Sequence, residues 1–245
     1  MNELRLVYFD DDLACDVLAE KGGQWVISRG GRTPWEAVGA FGAPLSEVVF
    51  GRFDLGVIDR RPGATRRTTH AFRRMEDGQW RLTRLSAPDW IDAQSSSKPL
   101  NKLRFGDFTG DGVTDVLAVE EGRWQISEGA QRPWRPLHAQ LGDAVENLLI
   151  ANMDADDNID DLLRVGIAGG KIVWWRSKNA SESWQELKSY PIDIDPFSPF
   201  PLVFTGRFAP GGGLLTIQQD RRGRFYRPAE LLGGAPADWT SLFAY

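Results

Sequence analysis

Three features of this 245-residue sequence lead to an all-β chain of repeated four-stranded units. A tryptophan with an apolar residue close behind it recurs five times, at Trp35, Trp90, Trp134, Trp184 and Trp239, spaced by 55, 44, 50 and 55 residues. A second aromatic precedes each of these, at Trp25, Trp80, Trp124, Trp174 with Trp175, and Phe225, and the two sets account for all ten tryptophans. Each unit also opens on an apolar run entering a turn, as in LVYFDDD, VVFGRFD, LRFGDFTGDG, LLIANMDADD and LVFTGRFAPGG. Self-similarity at a period of this length marks a repeat architecture, because one such unit cannot bury its faces alone.

Residues 101–144 show the unit most clearly. Short strands are expected at LRF, at DVLAV from Asp115, at RWQIS around Trp124 and near Trp134, with turns at EEG and EGAQRP between them. No longer stretch carries helical periodicity. Four strands per unit of this size are the signature of a propeller blade. The expected architecture is therefore one β-propeller domain over 1–245, with five four-stranded blades at about 1–45, 46–100, 101–144, 145–200 and 201–245, some 49 residues each. SSSKP at 95–99 and DPFSPFP at 195–201 read as connections between blades. The recurrent tryptophans pack blade against blade, since each such ring buries about 150–250 Å².

Composition removes several classes of function. A net charge of -5, from 29 basic and 34 acidic residues, argues against a broad nucleic-acid surface, which must neutralise many phosphates. Cys15 is the only cysteine, so no disulfide forms within the chain, and with only His70 and His138 there is no Cys/His zinc cluster. No apolar run reaches the roughly 18 residues a membrane helix needs. The opening MNELRLVYFDDD has neither a basic nor an apolar leader segment.

Two loops carry candidate cation ligands. In FGDFTGDGVTDVLAV, Asp107, Thr109, Asp111 and Asp115 stand at positions 1, 3, 5 and 9, with Val113 offering its carbonyl from position 7. In the fourth unit Asn152, Asp154, Asp156, Asn158 and Asp160 occupy positions 1, 3, 5, 7 and 9. Alternation in a tight loop turns such oxygens inward, and Ca²⁺ takes six to eight of them at about 2.3–2.6 Å. Carboxylates crowded this way repel one another without a cation. The first unit keeps Asp10, Asp12 and Asp16, but Tyr8 replaces its first ligand. In the second and fifth units Arg52 and Arg207 stand where Asp107 does, and a guanidinium bonded to nearby carbonyls takes the place of the metal.

FGDFTGDGVTDVLAV, followed by GRWQISEG and PWRPL, resembles the FG-GAP or VCBS-type repeat of integrin-like β-propellers and bacterial secreted proteins. The likeness spans the chain, strongest in the third unit. It implies calcium in blade loops, an extracellular setting, and recognition of proteins or glycans without catalysis. Some fungal lectins with similar repeats take sugars between blades, so glycan binding is the expected role. The alternatives are a protein partner, or an accessory propeller of a larger secreted enzyme or toxin.

Other features are weaker. Arg60 with Arg61, Arg66 with Arg67 and Arg73 with Arg74 form three arginine pairs, read as a solvated hairpin or as a grip for an anionic glycan, phosphate or acidic surface. Asn179-Ala180-Ser181 fits a glycosylation acceptor. Neither histidine lies in a nucleophile motif and no phosphate-cradling loop is present, so the chain is expected not to be an enzyme. The rival is a propeller glycosidase, which needs two carboxylates about 5 to 9.5 Å apart.

Overall fold

The computed structural model describes residues 4–9, 15–39, 41–53, 69–85, 87–137, 143–153, 158–191, 202–205, 214–219, 225–226 and 231–232. Four repeat units fold as antiparallel meanders in which spatial order follows chain order. They are β1–β4 (Leu4–Val7, Asp16–Lys21, Gln24–Ser28, Glu36–Gly39) and β5–β8 (Val48–Gly51, His70–Arg74, Gln79–Arg84, Ala87–Ser95). Next come β9–β12 (Arg104–Gly106, Asp115–Glu120, Arg123–Ser127, Arg135–Pro136) and β13–β16 (Leu149–Ala151, Asp161–Ala168, Lys171–Ser177, Gln185–Pro191). Successive four-stranded antiparallel sheets, one per unit, make an all-β, propeller-like arrangement. Among the described residues the only helical elements are short 3-10 turns.

Local sequence explains these hairpins. The second and third strands join through pairs of left-handed residues: Gly22 and Gly23 (φ 60° and 77°), Glu121 and Gly122 (50° and 71°), Gly169 and Gly170 (56° and 70°). Two positive φ values in succession give a turn whose twist matches the flanking strands, and glycine reaches them without strain. Ahead of three first strands stands a 3-10 turn, at Leu45–Glu47, Leu100–Lys102 and Val145–Asn147. Leu45 and Val145 are buried from these turns, which pins each sheet's entry.

The fifth unit departs from the expected pattern. Its strands β17–β20 (Leu202–Thr205, Leu214–Gln219, Phe225–Tyr226, Leu231–Leu232) form a sheet in which β20 pairs with β18 instead of β19. Regular blades therefore number four, against the five expected. The second strand of the other units opens on Asp or His, whereas β18 opens on Leu214.

Contacts divide the chain into two units, Met1–Phe105 with Gly112–Ala118 and Gln125–Arg135, and Gly106–Asp111 with Val119–Trp124 and Pro136–Tyr245. The first holds two apolar clusters. One gathers Leu18, Trp25, Ile27, Phe41 and Leu45, and the other Phe53, Phe72, Trp80, Leu82 and Val116. Trp134 meets Trp80 edge-on at 5.4 Å, so a closing tryptophan packs on the inner tryptophan of the preceding sheet. The second unit repeats this with Trp184 on Trp124 at 5.6 Å, beside a cluster of Ala151, Met153, Leu163 and Trp174. The two tryptophan sets thus have different fates. Trp25, Trp80 and Trp124 are buried, while Trp90, Trp134 and Trp184 are half-buried and Trp35 is exposed. Indole N–H groups of the closing set reach polar atoms: Trp90 donates to Phe41 O at 2.9 Å, Trp134 to Ser95 O at 3.2 Å, and Trp184 to Asp143 Oδ2 at 2.7 Å.

Candidate functional site

The segment between first and second strand carries the polar chemistry, and two repeated devices hold it. The first is a clasp. An Asp opening the second strand reaches across its own sheet to the 3-10 turn that follows the third strand. Asp16 Oδ1 accepts the Gly30 N–H at 2.8 Å, Asp115 Oδ1 the Gly129 N–H at 2.9 Å, and Asp161 Oδ1 the Asn179 N–H at 2.8 Å. The receiving residues are left-handed, with φ of 56°, 59° and 53°. The other carboxylate oxygen takes an N–H from the preceding loop, Phe9 for Asp16 and Met153 for Asp161. A serine completes the turn, Ser28 donating to Thr33 O and Ser127 to Arg132 O, both at 2.7 Å.

The second device is a latch between consecutive sheets. The residue after the first strand exchanges two hydrogen bonds with the residue before the second strand of the next unit. Thr69 N–H donates to Tyr8 O at 2.8 Å while Tyr8 N–H donates to Thr69 Oγ1 at 2.9 Å. Thr114 N–H donates to Arg52 O at 2.7 Å, and Arg52 N–H to Thr114 Oγ1 at 2.9 Å. Asp160 N–H donates to Asp107 O at 2.7 Å, and Asp107 N–H to Asp160 Oδ2 at 2.7 Å. Close approach forces glycine just ahead of two latches. A Cβ on Gly51 would lie 2.8 Å from Thr114 Oγ1, and one on Gly106 2.9 Å from Asp160 Oδ2.

The third-unit loop can now be read atom by atom. Asp107 Oδ1 accepts the Gly110 N–H at 2.7 Å, and Gly110 must be glycine, since its Cβ would come within 2.8 Å of Ile159. Thr109 Oγ1 is buried with no hydrogen-bond partner. Asp111 is exposed, Val113 is buried, and Asp115 is fully buried in its clasp. Among the described residues no three His, Cys, Asp or Glu side chains gather as a metal site. Instead Asp107 and Asp115 turn to separate backbone N–H groups. What fits a hard cation here is the orphaned Thr109 oxygen, two residues from Asp107 and two from Asp111.

In the fourth unit Asn152 Nδ2 donates to Ile159 O at 3.2 Å, Asn158 is exposed, and Asp160 serves the latch. Asp161, one residue later, matches Asp115 in its bonding. Position 9 of this loop is thus offset by one from the third unit's. Asp154 and Asp156 lie outside the described residues, as do Asp10, Asp12, Arg207, His138 and the arginines at 60, 61, 66 and 67. Burial pushes the Asp161 carboxyl above its ordinary 3.8, opposed by the Asn179 N–H, by Arg176 paired with it at 2.9 Å, and by the Met153 N–H.

Arg52 departs from expectation. Among the described residues its guanidinium bonds no carbonyl, although Nη1 stands 3.3 Å from where a Cβ on Gly112 would be. His70 replaces the clasp Asp in the second unit and meets Phe53 O through Nδ1 at 2.8 Å, a structural contact. Asn179 is half-buried, with its side-chain oxygen buried and its N–H committed to the Asp161 clasp. The clasp escaped the sequence reading, yet a signal for it exists: Ser28, Ser127 and Ser177 each stand seven residues ahead of Trp35, Trp134 and Trp184, with Gly or Asn two residues after the serine.

No family model and no curated protein matches the chain. Among solved structures it is similar to a candidate 6-phosphogluconolactonase from Bacteroides fragilis, at 10% identity and a TM-score of 0.32, over 94% of this chain and 69% of that one. Because that protein is assigned as an enzyme, the expectation of a chain without catalysis is withdrawn. That expectation rested on missing linear motifs, and an active site built on sheets draws its residues from distant segments that no linear motif reveals. At this TM-score the likeness carries no reaction, substrate or residue over to the chain.

Proposed function

We propose that this chain is a calcium-binding recognition module of five propeller blades, acting in an extracellular setting on a glycan before a protein. The observation that carries the calcium reading is the buried Thr109 hydroxyl without a partner. An unmet buried polar group costs about 1–3 kcal/mol, and a cation drawing in Asp107, Thr109 and Asp111 removes that cost. Calcium supplies a hard positive centre that fixes the loop. The chain's own residues hold the loop to its neighbours through the Asp107–Asp160 latch and offer oxygens at alternate positions. Asn152, Asp154, Asp156 and Asn158 are the corresponding candidates in the fourth unit.

The recognition reading draws on the FG-GAP-like sequence pattern and on loops carried by a clasped, latched framework, the arrangement in which binding residues are usually placed. A thermal melt in excess EDTA, then in millimolar calcium, with magnesium as control, tests the first half. Each occupied site adds about 2.7 kcal/mol at one hundred times its Kd. A calcium-specific rise is expected; coincident melts would remove the metal from the reading. Glycan-array binding that free sugar competes away tests the second half, and a blank array would remove the glycan.

A further inference from the structure

The geometry points to a separate ligand site: a pocket in the first contact unit that takes a carboxylate-bearing sugar, with Arg74 holding the carboxylate. This deepens the glycan reading above and rests on it. The pocket has a volume of about 700 Å³, within the range typical of small-ligand sites. It lies at the end of the second sheet, where the β6–β7 turn meets the turns that open the second and third units.

Two arginines line it, and they differ. Arg73 is committed to the protein, with Nη2 paired to Glu47 at 3.1 Å and Nη1 on Gly42 O at 2.9 Å. Arg74 forms no ion pair among the described residues. Its Nη1 donates to Met75 O at 3.1 Å and its Nη2 to Ser97 O at 3.4 Å. Those carbonyls aim the guanidinium without neutralising it, and one N–H on each Nη remains for a ligand; the buried, unpartnered Nε–H is common to both arginines and does not distinguish them. A half-buried guanidinium held this way is prepared for a planar carboxylate.

The rest of the pocket selects what carries that carboxylate. Glu76 and Asp77 stand on the exposed rim, and Asp77 spends one oxygen on the Gln79 N–H at 2.9 Å. With Arg73 and Glu47 cancelling, one cation faces two carboxylates. A bare anion such as phosphate is repelled by that rim. A ligand with its negative charge at one end and hydroxyl donors at the other satisfies both. Leu100, half-buried in the lining, offers an apolar surface for the C–H face of a sugar ring.

The test titrates the purified full chain by calorimetry with sodium glucuronate, with glucose, which has the same ring hydroxyls and no carboxylate, and with inorganic phosphate. Saturable glucuronate binding is expected, with the other two markedly weaker. Arg74→Met should weaken glucuronate roughly 10- to 100-fold, the loss of one charged hydrogen-bonded pair, and Arg74→Lys less. Should Arg74→Met fail to fold, Glu76→Ala decides instead, because an exposed rim carboxylate can be removed without touching the core. It too should weaken glucuronate. The proposal is overturned if folded wild-type chain ignores glucuronate, if phosphate or glucose binds as tightly, or if the rim variant leaves affinity unchanged. Array binding of glucuronate-bearing glycans that survives unchanged in the Arg74 variant would overturn this site and leave the glycan reading standing; a blank array would end both.

Discussion

At single positions the polar side chains of this protein divide into those that bond backbone and those left unmet. Asp161 belongs to the first group, with its side chain 1% exposed and paired to Arg176, itself 17% exposed. Asn has one acceptor oxygen where the Asn179 and Met153 N–H groups each use one, so Asp161→Asn leaves a buried donor unmet and should cost about 1–3 kcal/mol in urea denaturation at neutral pH. Its titration gives a second expectation. The unfolded chain releases this proton near 3.8, whereas the native carboxyl holds it to higher pH. In that window the native state binds more protons, so the Asp161 contribution to stability falls as pH rises through it. A stability–pH profile of Asp161→Asn should lack that fall. An unchanged profile would show that Arg176 and the two N–H donors outweigh burial.

Between strands, the latch sets how each sheet meets the next within a contact unit. Thr114→Val keeps the shape but removes the acceptor for the Arg52 N–H, and should cost about 0.5–1.5 kcal/mol by thermal or chemical denaturation. Gly51→Ala should cost more, because the added methyl drives into Thr114 Oγ1. Combining Gly51→Ala with Thr114→Ala takes away the Thr114 atoms that the added methyl meets, leaving Phe53 at 3.1 Å as its nearest neighbour. The pair should therefore be less destabilising than the sum by about 0.5–3 kcal/mol. Strict additivity in that cycle would show that the close approach is relieved by backbone movement.

Much of this was visible in the residues beforehand. The strands at Asp115, Trp124 and Trp134 follow from alternation and turn chemistry, which are local properties. The fate of the inner tryptophans follows from their period. Asp115 was harder, since its spacing fits a cation loop and its carboxylate is used by Gly129, fourteen residues on. Asp160 and Asp161 are adjacent acids, and only the pairing of two sheets decides which serves the latch and which the clasp. Such choices depend on contacts distant in sequence, so spacing alone cannot make them. The same limit applies to Arg52, whose guanidinium bonds no carbonyl among the described residues.

For the molecule taken together, stability in a repeat protein approximates a sum of unit terms and nearest-neighbour terms. Calcium, on the reading proposed, adds a unit term at the third loop. Asp111→Ala should then lower the melting temperature more in calcium than in EDTA, so that the calcium-dependent rise shrinks or disappears, because Asp111 is exposed and lies outside the clasp and the latch. Equal losses in both melts would place Asp111 in the framework instead.

The latch also bears on how such a chain can change. Tyr8, Arg52 and Asp107 all occupy its first position, and all three are held there through their own N–H and C=O. Attachment between neighbours therefore makes no demand on the side chain at that position. A phenol, a guanidinium and a carboxylate occur there in turn with the framework intact. Each of these three units thus carries one site whose chemistry can be rewritten without renegotiating the fold, so copies that began alike can diverge in what they bind while still standing beside one another.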